Sequence, residues 1–215
     1  MSDKSKKYGI MGGTFDPIHI GHLVIAEEVR NKFNLDKVIF IPSGQPPHKN
    51  LSNVTEPEHR YQMTLLATIS NPYFEVSSIE MDRAGKTYTV DTIKKLNEVF
   101  NEEVDFYFIT GADAILDLPT WKNVNELLTL CNFVAATRPG FGLEKMQKGI
   151  EKLEKKYNRS IYTLIVPALQ ISSTDIRNRI NNNQSIKYLL PESVEHYIYK
   201  NNLYKSSENG GCFDI

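Results

Sequence analysis

Short apolar runs alternate along the chain with longer stretches in which apolar residues recur every three or four positions. The runs Tyr8–Met11, Lys37–Ile41, Phe74–Ser77, Val104–Thr110, Asn132–Thr137 and Ile161–Val166 read as strands. Val104–Thr110 is almost continuously apolar, as expected of a parallel strand covered on both faces. Leu23–Arg30, Glu58–Ile69, Thr89–Phe100 and Leu143–Tyr157 read as helices, as do Ser172–Asn182 and Pro191–Tyr199. In the helix from Thr89, residues Val90, Ile93 and Leu96 share one face with Val99 or Phe100. This alternation predicts an α/β protein: one domain with a doubly wound, mostly parallel, Rossmann-like sheet and closing C-terminal helices. Ligands of such sheets bind at the carboxyl ends of the strands, where the strand order switches. Pro42 ends the second strand. The stretch Ser43–Glu56 after it is long for an α/β connection, which favours a functional loop.

Composition narrows the partners. The 215 residues carry a net charge of −1, so there is no general basic field for nucleic acid and any anion site must be local. Met1–Lys7 is charged and lacks an apolar core, so a signal peptide is not expected. The apolar runs are strand-length, so no membrane span is expected, and the protein is read as cytoplasmic. Cys131, in an apolar context, and Cys212, in a polar tail, give neither a disulfide framework nor a metal-ligand spacing. Residues 7–204 are expected to form the domain, and 205–215, with Asn209-Gly210-Gly211, a disordered tail.

The chemistry concentrates first at Gly12-Gly13-Thr14-Phe15-Asp16-Pro17-Ile18-His19-Ile20-Gly21-His22, between the first strand and the first helix. A strand, a glycine turn and a helix start present free backbone N–H groups to a phosphate. His19 and His22, three apart, share a face once the helix has begun. The plainer reading is an ordinary βα turn, with His19 as a cap and His22 packed on the sheet. Neither the G-x-G-x-x-G spacing of dinucleotide folds nor a Walker lysine is present.

Other candidates follow predicted strands or open helices. Ile171-Ser172-Ser173-Thr174-Asp175-Ile176-Arg177 begins a helix. Ser172 with Asp175 resembles a capping box, while consecutive hydroxyls at a helix start, with Arg177 one turn inward, also suit a phosphate. Lys49 is a flexible cation in the loop after the second strand. Asp113 follows Val104–Thr110 by way of Gly111. The single tryptophan, Trp121, is a core or rim anchor or a stacking surface. Arg138 follows another strand beside Pro139-Gly140.

The letters Gly-Thr-Phe-Asp-Pro-x-His-x-Gly-His resemble the signature of the nucleotidyltransferase α/β-phosphodiesterase superfamily. Pro46-Pro47-His48-Lys49, Thr87-Tyr88-Thr89-Val90-Asp91-Thr92, Gly111-Ala112-Asp113, Leu118-Pro119-x-Trp121, Arg138-Pro139-Gly140 and Ile171–Arg177 follow in order. Together they resemble the bacterial nicotinate-mononucleotide adenylyltransferases over roughly residues 7 to 204. The resemblance implies adenylyl transfer from ATP to nicotinate mononucleotide, with Mg²⁺ carried on the ATP and no protein metal site. It implies catalytic roles for His19, His22, Lys49 and Arg177. It implies ATP contacts from Gly12, Gly13, Thr14, Phe15, His19, His22, Ile171, Ser172, Ser173, Thr174 and Arg177. Lys49, Thr89, Gly111, Asp113, Trp121, Lys122 and Arg138 would meet the mononucleotide, Thr89 and Lys122 through their backbone. No nucleic acid or membrane partner is implied, and an oligomer is left open. The alternatives are a nicotinamide-mononucleotide or pantetheine-phosphate nucleotidyltransferase, a class I aminoacyl-tRNA synthetase fragment, or a non-catalytic nucleotide-binding module.

Overall fold

The computed structural model describes residues 5–46, 54–101, 104–137, 143–167 and 169–205. Lys49, Arg138 and the tail from Ser206 lie outside the described residues. Strands β1 (Lys6–Gly13), β2 (Lys37–Pro42), β3 (Phe74–Val76), β4 (Val104–Gly111), β5 (Asn132–Thr137) and β6 (Ile161–Ile165) form one sheet. Its order is β3-β2-β1-β4-β5-β6, and every adjacent pair runs parallel. The order reverses between β1 and β4, so the crevice at their carboxyl ends is the switch point. β1 ends at Gly13 and β4 at Gly111, which puts the first motif and the Gly111–Asp113 segment on either side of it.

The helices are α1 (Ile20–Phe33), α2 (Pro57–Thr68), α3 (Thr89–Val99), α4 (Ala112–Leu116), α5 (Val124–Leu130), α6 (Leu143–Tyr157), α7 (Ser173–Asn181) and α8 (Glu192–Lys200). The pleat of the central strands sends alternate residues to opposite faces. Ile10, Phe106, Phe108 and Phe133 join a core with residues of α3, α4, α5 and α6. Met11, Tyr107, Ile109 and Val134 join another with residues of α1, α2, α7 and α8. The strands are apolar on both faces for that reason.

Some boundaries differ from those expected. Gly12 and Gly13 are the last residues of β1, not part of the turn. α1 starts at Ile20, which makes His19 its N-cap. The short helices α4 and α5 fill the connection between β4 and β5. Burial pushes the Cys131 thiol up to about 12, so it is an inert core side chain rather than a nucleophile. Among the described residues, no helix is long and apolar enough to cross a membrane.

Candidate active site

The turn from β1 into α1 is largely buried. Phe15 adopts left-handed backbone (φ 48°), and the Asp16–Pro17 peptide is cis. The Phe15 ring lies over the strand end: a Cβ at Gly13 would stand 2.7 Å from it, so only glycine fits beneath. The His19 N–H donates to Nδ1 of His22 at 3.2 Å. The two imidazoles stack with centroids 3.8 Å apart, and Phe15 meets His22 edge-on at 5.2 Å. Burial first, and the neighbouring His19 second, hold His22 well below the ordinary imidazole pKa. His22 is therefore neutral. Because Nδ1 accepts, its proton sits on Nε2. The side chain is a neutral N–H donor, not a cation. A Cβ at Gly21 would come 3.0 Å from Nδ1 of His19, which explains the glycine between the histidines.

The start of α7 packs onto this turn. Ser173 Oγ donates to the Pro17 carbonyl at 2.8 Å, and Arg177 Nη1 donates to the Asp16 carbonyl at 2.7 Å. Ser172 Oγ caps the helix by accepting from the Asp175 N–H at 3.1 Å. The reciprocal half of the expected capping box is replaced by another bond, because the Asp175 carboxylate accepts from Arg179 Nε at 2.8 Å. Arg177 Nη2 reaches Thr174 Oγ1 at 3.4 Å. Ile171 packs against the neighbouring core. Residues more than a hundred positions apart in sequence, Gly12–His22 and Ile171–Arg177, thus meet at the switch point.

Two residues that hold the turn, Arg60 and Tyr204, were not singled out from the sequence, and Asp16 stood there only as a letter of the motif, without a role. Arg60, 1% exposed, donates from Nε to the Thr55 carbonyl (2.8 Å), from Nη1 to Thr14 (2.8 Å) and from Nη2 to Gly44 (3.1 Å). The Tyr204 hydroxyl donates to Asp16 Oδ1 at 2.7 Å, and the Thr55 N–H to Oδ2 at 3.3 Å. Burial and the Asp16 carboxylate raise the Tyr204 pKa, so its phenol stays protonated and keeps donating. The signal for Arg60 was present. It stands on the stripe formed by the buried Met63, Thr64 and Ala67, where a lone cation is out of place.

A second group gathers where the start of α3 meets the segment after β4. Thr89 opens α3, and Asp91 in its first turn pairs with Lys122 Nζ at 3.2 Å. The same ammonium lies 4.5 Å from the centroid of the Tyr88 ring. Trp121 is half-buried and meets Phe108 and Phe133 edge-on, with centroids 5.8 and 6.4 Å away. Phe108 also lies 3.5 Å from where a Cβ on Gly12 would be, so one core ring separates the two halves of the site. Gly111 and Asp113 are exposed at the end of β4 and the first turn of α4. Thr89, Gly111, Asp113, Trp121 and Lys122 thus fall at the same end of the sheet as the turn from β1 into α1. Among the described residues, no group of three or more His, Cys, Asp or Glu side chains is placed to hold a metal ion.

An all-parallel sheet with donors converging at its switch point defines a nucleotide-binding α/β protein. The cytidylyltransferase-like family matches residues 10–179. A Thermoanaerobacter protein named "probable nicotinate-nucleotide adenylyltransferase" is 58% identical over 97% of this chain and 99% of its own. One of the same name from Moorella thermoacetica is 58% identical over 95% of this chain and 94% of its own. The solved nicotinic acid mononucleotide adenylyltransferase of Plasmodium falciparum, complexed with NaAD, superposes with a TM-score of 0.75 at 25% identity, covering 93% of this chain and 97% of that one. The chain belongs to the cytidylyltransferase-like family and, within it, to the nicotinate-nucleotide adenylyltransferases.

Proposed function

We propose that the protein transfers the adenylyl group of ATP to nicotinate mononucleotide, forming nicotinate adenine dinucleotide and pyrophosphate, a step in NAD biosynthesis. The observation that supports this reading is the packing of Ser173 and Arg177 onto the carbonyls of Pro17 and Asp16, in the turn whose end holds a neutral, donating His22. A phosphate oxygen of the mononucleotide bonds to the α-phosphorus as the bond from that phosphorus to the pyrophosphate oxygen breaks. The electron pair leaves with pyrophosphate. The nucleophile is ionised at neutral pH, so no general base is required. The chain's work is in-line alignment and stabilisation of charge on the α-phosphoryl oxygens.

The residues divide accordingly. His19 and His22, with the Gly12–Phe15 backbone, face the α-phosphoryl group, and Nε2–H of His22 donates to it. The hydroxyls and N–H groups of Ile171–Thr174, with Arg177, take the outer phosphates. Thr89, Gly111, Asp113, Trp121 and Lys122 take the mononucleotide, its pyridine ring against Trp121. Lys49 and Arg138 join the phosphate contacts on the strength of the resemblance alone. Mg²⁺ carried on the triphosphate would offset part of its charge. The donor set suits that arrangement: both oxygens of Asp16, the turn's carboxylate, are taken by Tyr204 and Thr55, so the turn offers N–H groups to phosphate. Residues 7–204 form the catalytic domain in this reading, and the cytoplasm is where it would meet its substrates.

The test is pyrophosphate release from ATP and Mg²⁺ with nicotinate mononucleotide, nicotinamide mononucleotide or pantetheine phosphate. A carboxylate accepts from both donors at Thr89 and Lys122, while a carboxamide leaves one unpaired. The expected kcat/KM preference for the acid is ~10- to 100-fold. Equal values or an amide preference would move the protein to another branch, and no turnover with any acceptor would make it a binding module.

A further inference from the structure

Arg60 is an expensive way to fill the space beneath the turn. Its guanidinium is buried and keeps its charge although burial pulls its pKa down. Methionine or leucine would pack the same stripe of α2 without that cost. What the guanidinium does is hold three carbonyls in diverging directions, those of Thr14, Gly44 and Thr55. Thr14 begins the phosphate turn. Gly44 follows β2 and Thr55 precedes α2. Thr55 is held through both of its peptide groups, its carbonyl by Arg60 and its N–H by the Asp16 carboxylate. The Asp16 carbonyl is in turn bonded to Arg177 of α7.

We infer that Arg60 is a positioning residue for adenylyl transfer: through the Thr14 carbonyl, and through Thr55 to Asp16, it fixes the phosphate turn against α7, and so sets where Nε2 of His22 points. The inference rests on the proposed activity. A planar fork with several fixed donors can satisfy this geometry, whereas a lysine presents a single point charge and cannot reach all three carbonyls. A misplaced donor costs most where charge develops, in the transition state rather than in substrate binding.

The test compares Arg60→Lys, Arg60→Met and Tyr204→Phe, the last removing the hydroxyl's bond to the Asp16 carboxylate. Folded Arg60 variants should lose ~10- to 100-fold in kcat while KM for both substrates stays within about threefold. Tyr204→Phe should fall in the same direction, and the Arg60→Lys/Tyr204→Phe double variant should lose less than the product of the single losses, because both act on one turn. Without any substrate, hydrogen exchange at residues 14–19 should quicken by ~10-fold or more in Arg60→Met while α6, on the other face of the sheet, is unchanged. A packing role alone would leave kcat intact in Arg60→Met. Folded Arg60 variants with wild-type kcat, or unchanged exchange at the turn, would overturn the inference. If Arg60→Met does not fold, Arg60→Lys and Tyr204→Phe still decide it. Wild-type protein that releases no pyrophosphate would sink the proposed activity, while the exchange measurement would still judge the positioning.

Discussion

Replacing His22 by asparagine tests the protonation state on which the site depends. The asparagine amide oxygen can take the place of Nδ1 and keep the bond from the His19 N–H, but it cannot titrate and has no Nε2–H. In the native chain His22 is held well below its ordinary pKa, so it stays neutral as the solution is acidified. In the unfolded chain it titrates near 6.5. Below that value the unfolded state binds a proton that the folded state refuses, so stability is full above pH ~6.5 and is lost as pH falls toward the folded pKa. From about pH 7.5 to about pH 5.5, one such group costs about 1.4 kcal/mol if the folded state stays unprotonated throughout. Urea unfolding at the two pH values, for wild type and His22→Asn, gives a difference of differences in which the common carboxylate contribution cancels. The wild type should lose about 1.4 kcal/mol more than the variant. The variant's kcat should fall ~10²-fold, because the donor to the transition state is gone. Equal pH sensitivity of the two proteins would show that His22 is not held neutral. A kcat within a few-fold of wild type would remove it from the chemistry.

Other expectations follow from the second half of the site and from α7. Trp121 fluorescence should be quenched by the mononucleotide and not by ATP alone; a response only to ATP would reassign that ring. Lys122→Met leaves Asp91 unpaired at the start of α3, and since the pair is largely solvated, the acid-over-amide preference should fall by only ~2- to 5-fold. An unchanged kcat/KM ratio for the two mononucleotides would show that the pair has no part in selection. Ser172→Ala should cost about 0.5–2 kcal/mol, a drop in Tm of a few degrees by scanning calorimetry, because the cap of α7 is lost. An unshifted Tm would mean that the Asp175 N–H is satisfied without the hydroxyl.

The sheet was legible because its strands are covered on both faces and therefore read as near-continuous apolar runs. The helices with several turns were legible by period. α4 and α5, at 5 and 7 residues, are too short to establish one. The histidines and the Ile171–Arg177 motif were legible as letters, and the resemblance implied that both meet ATP, but the bonds that join the two segments were not legible. Arg177 and Asp16 are 161 positions apart, and nothing local in either segment specifies that the guanidinium meets a main-chain carbonyl. Tyr204 was invisible for the same reason. Arg60 was overlooked because a helical arginine is ordinarily solvated, and only its place on a buried stripe distinguishes it.

The bond between Tyr204 and Asp16 spans 188 positions, so a segment made early waits for one made much later. During synthesis β1 can pair with β2, and the sheet can grow, long before the turn from β1 into α1 has its full set of partners. Ser173, Arg177 and then Tyr204 arrive in that order and complete it. Nascent chains can therefore possess most of their core while the turn lacks the contacts that fix it, so the turn is set only once Tyr204 has been made, later than the pairing that builds the sheet.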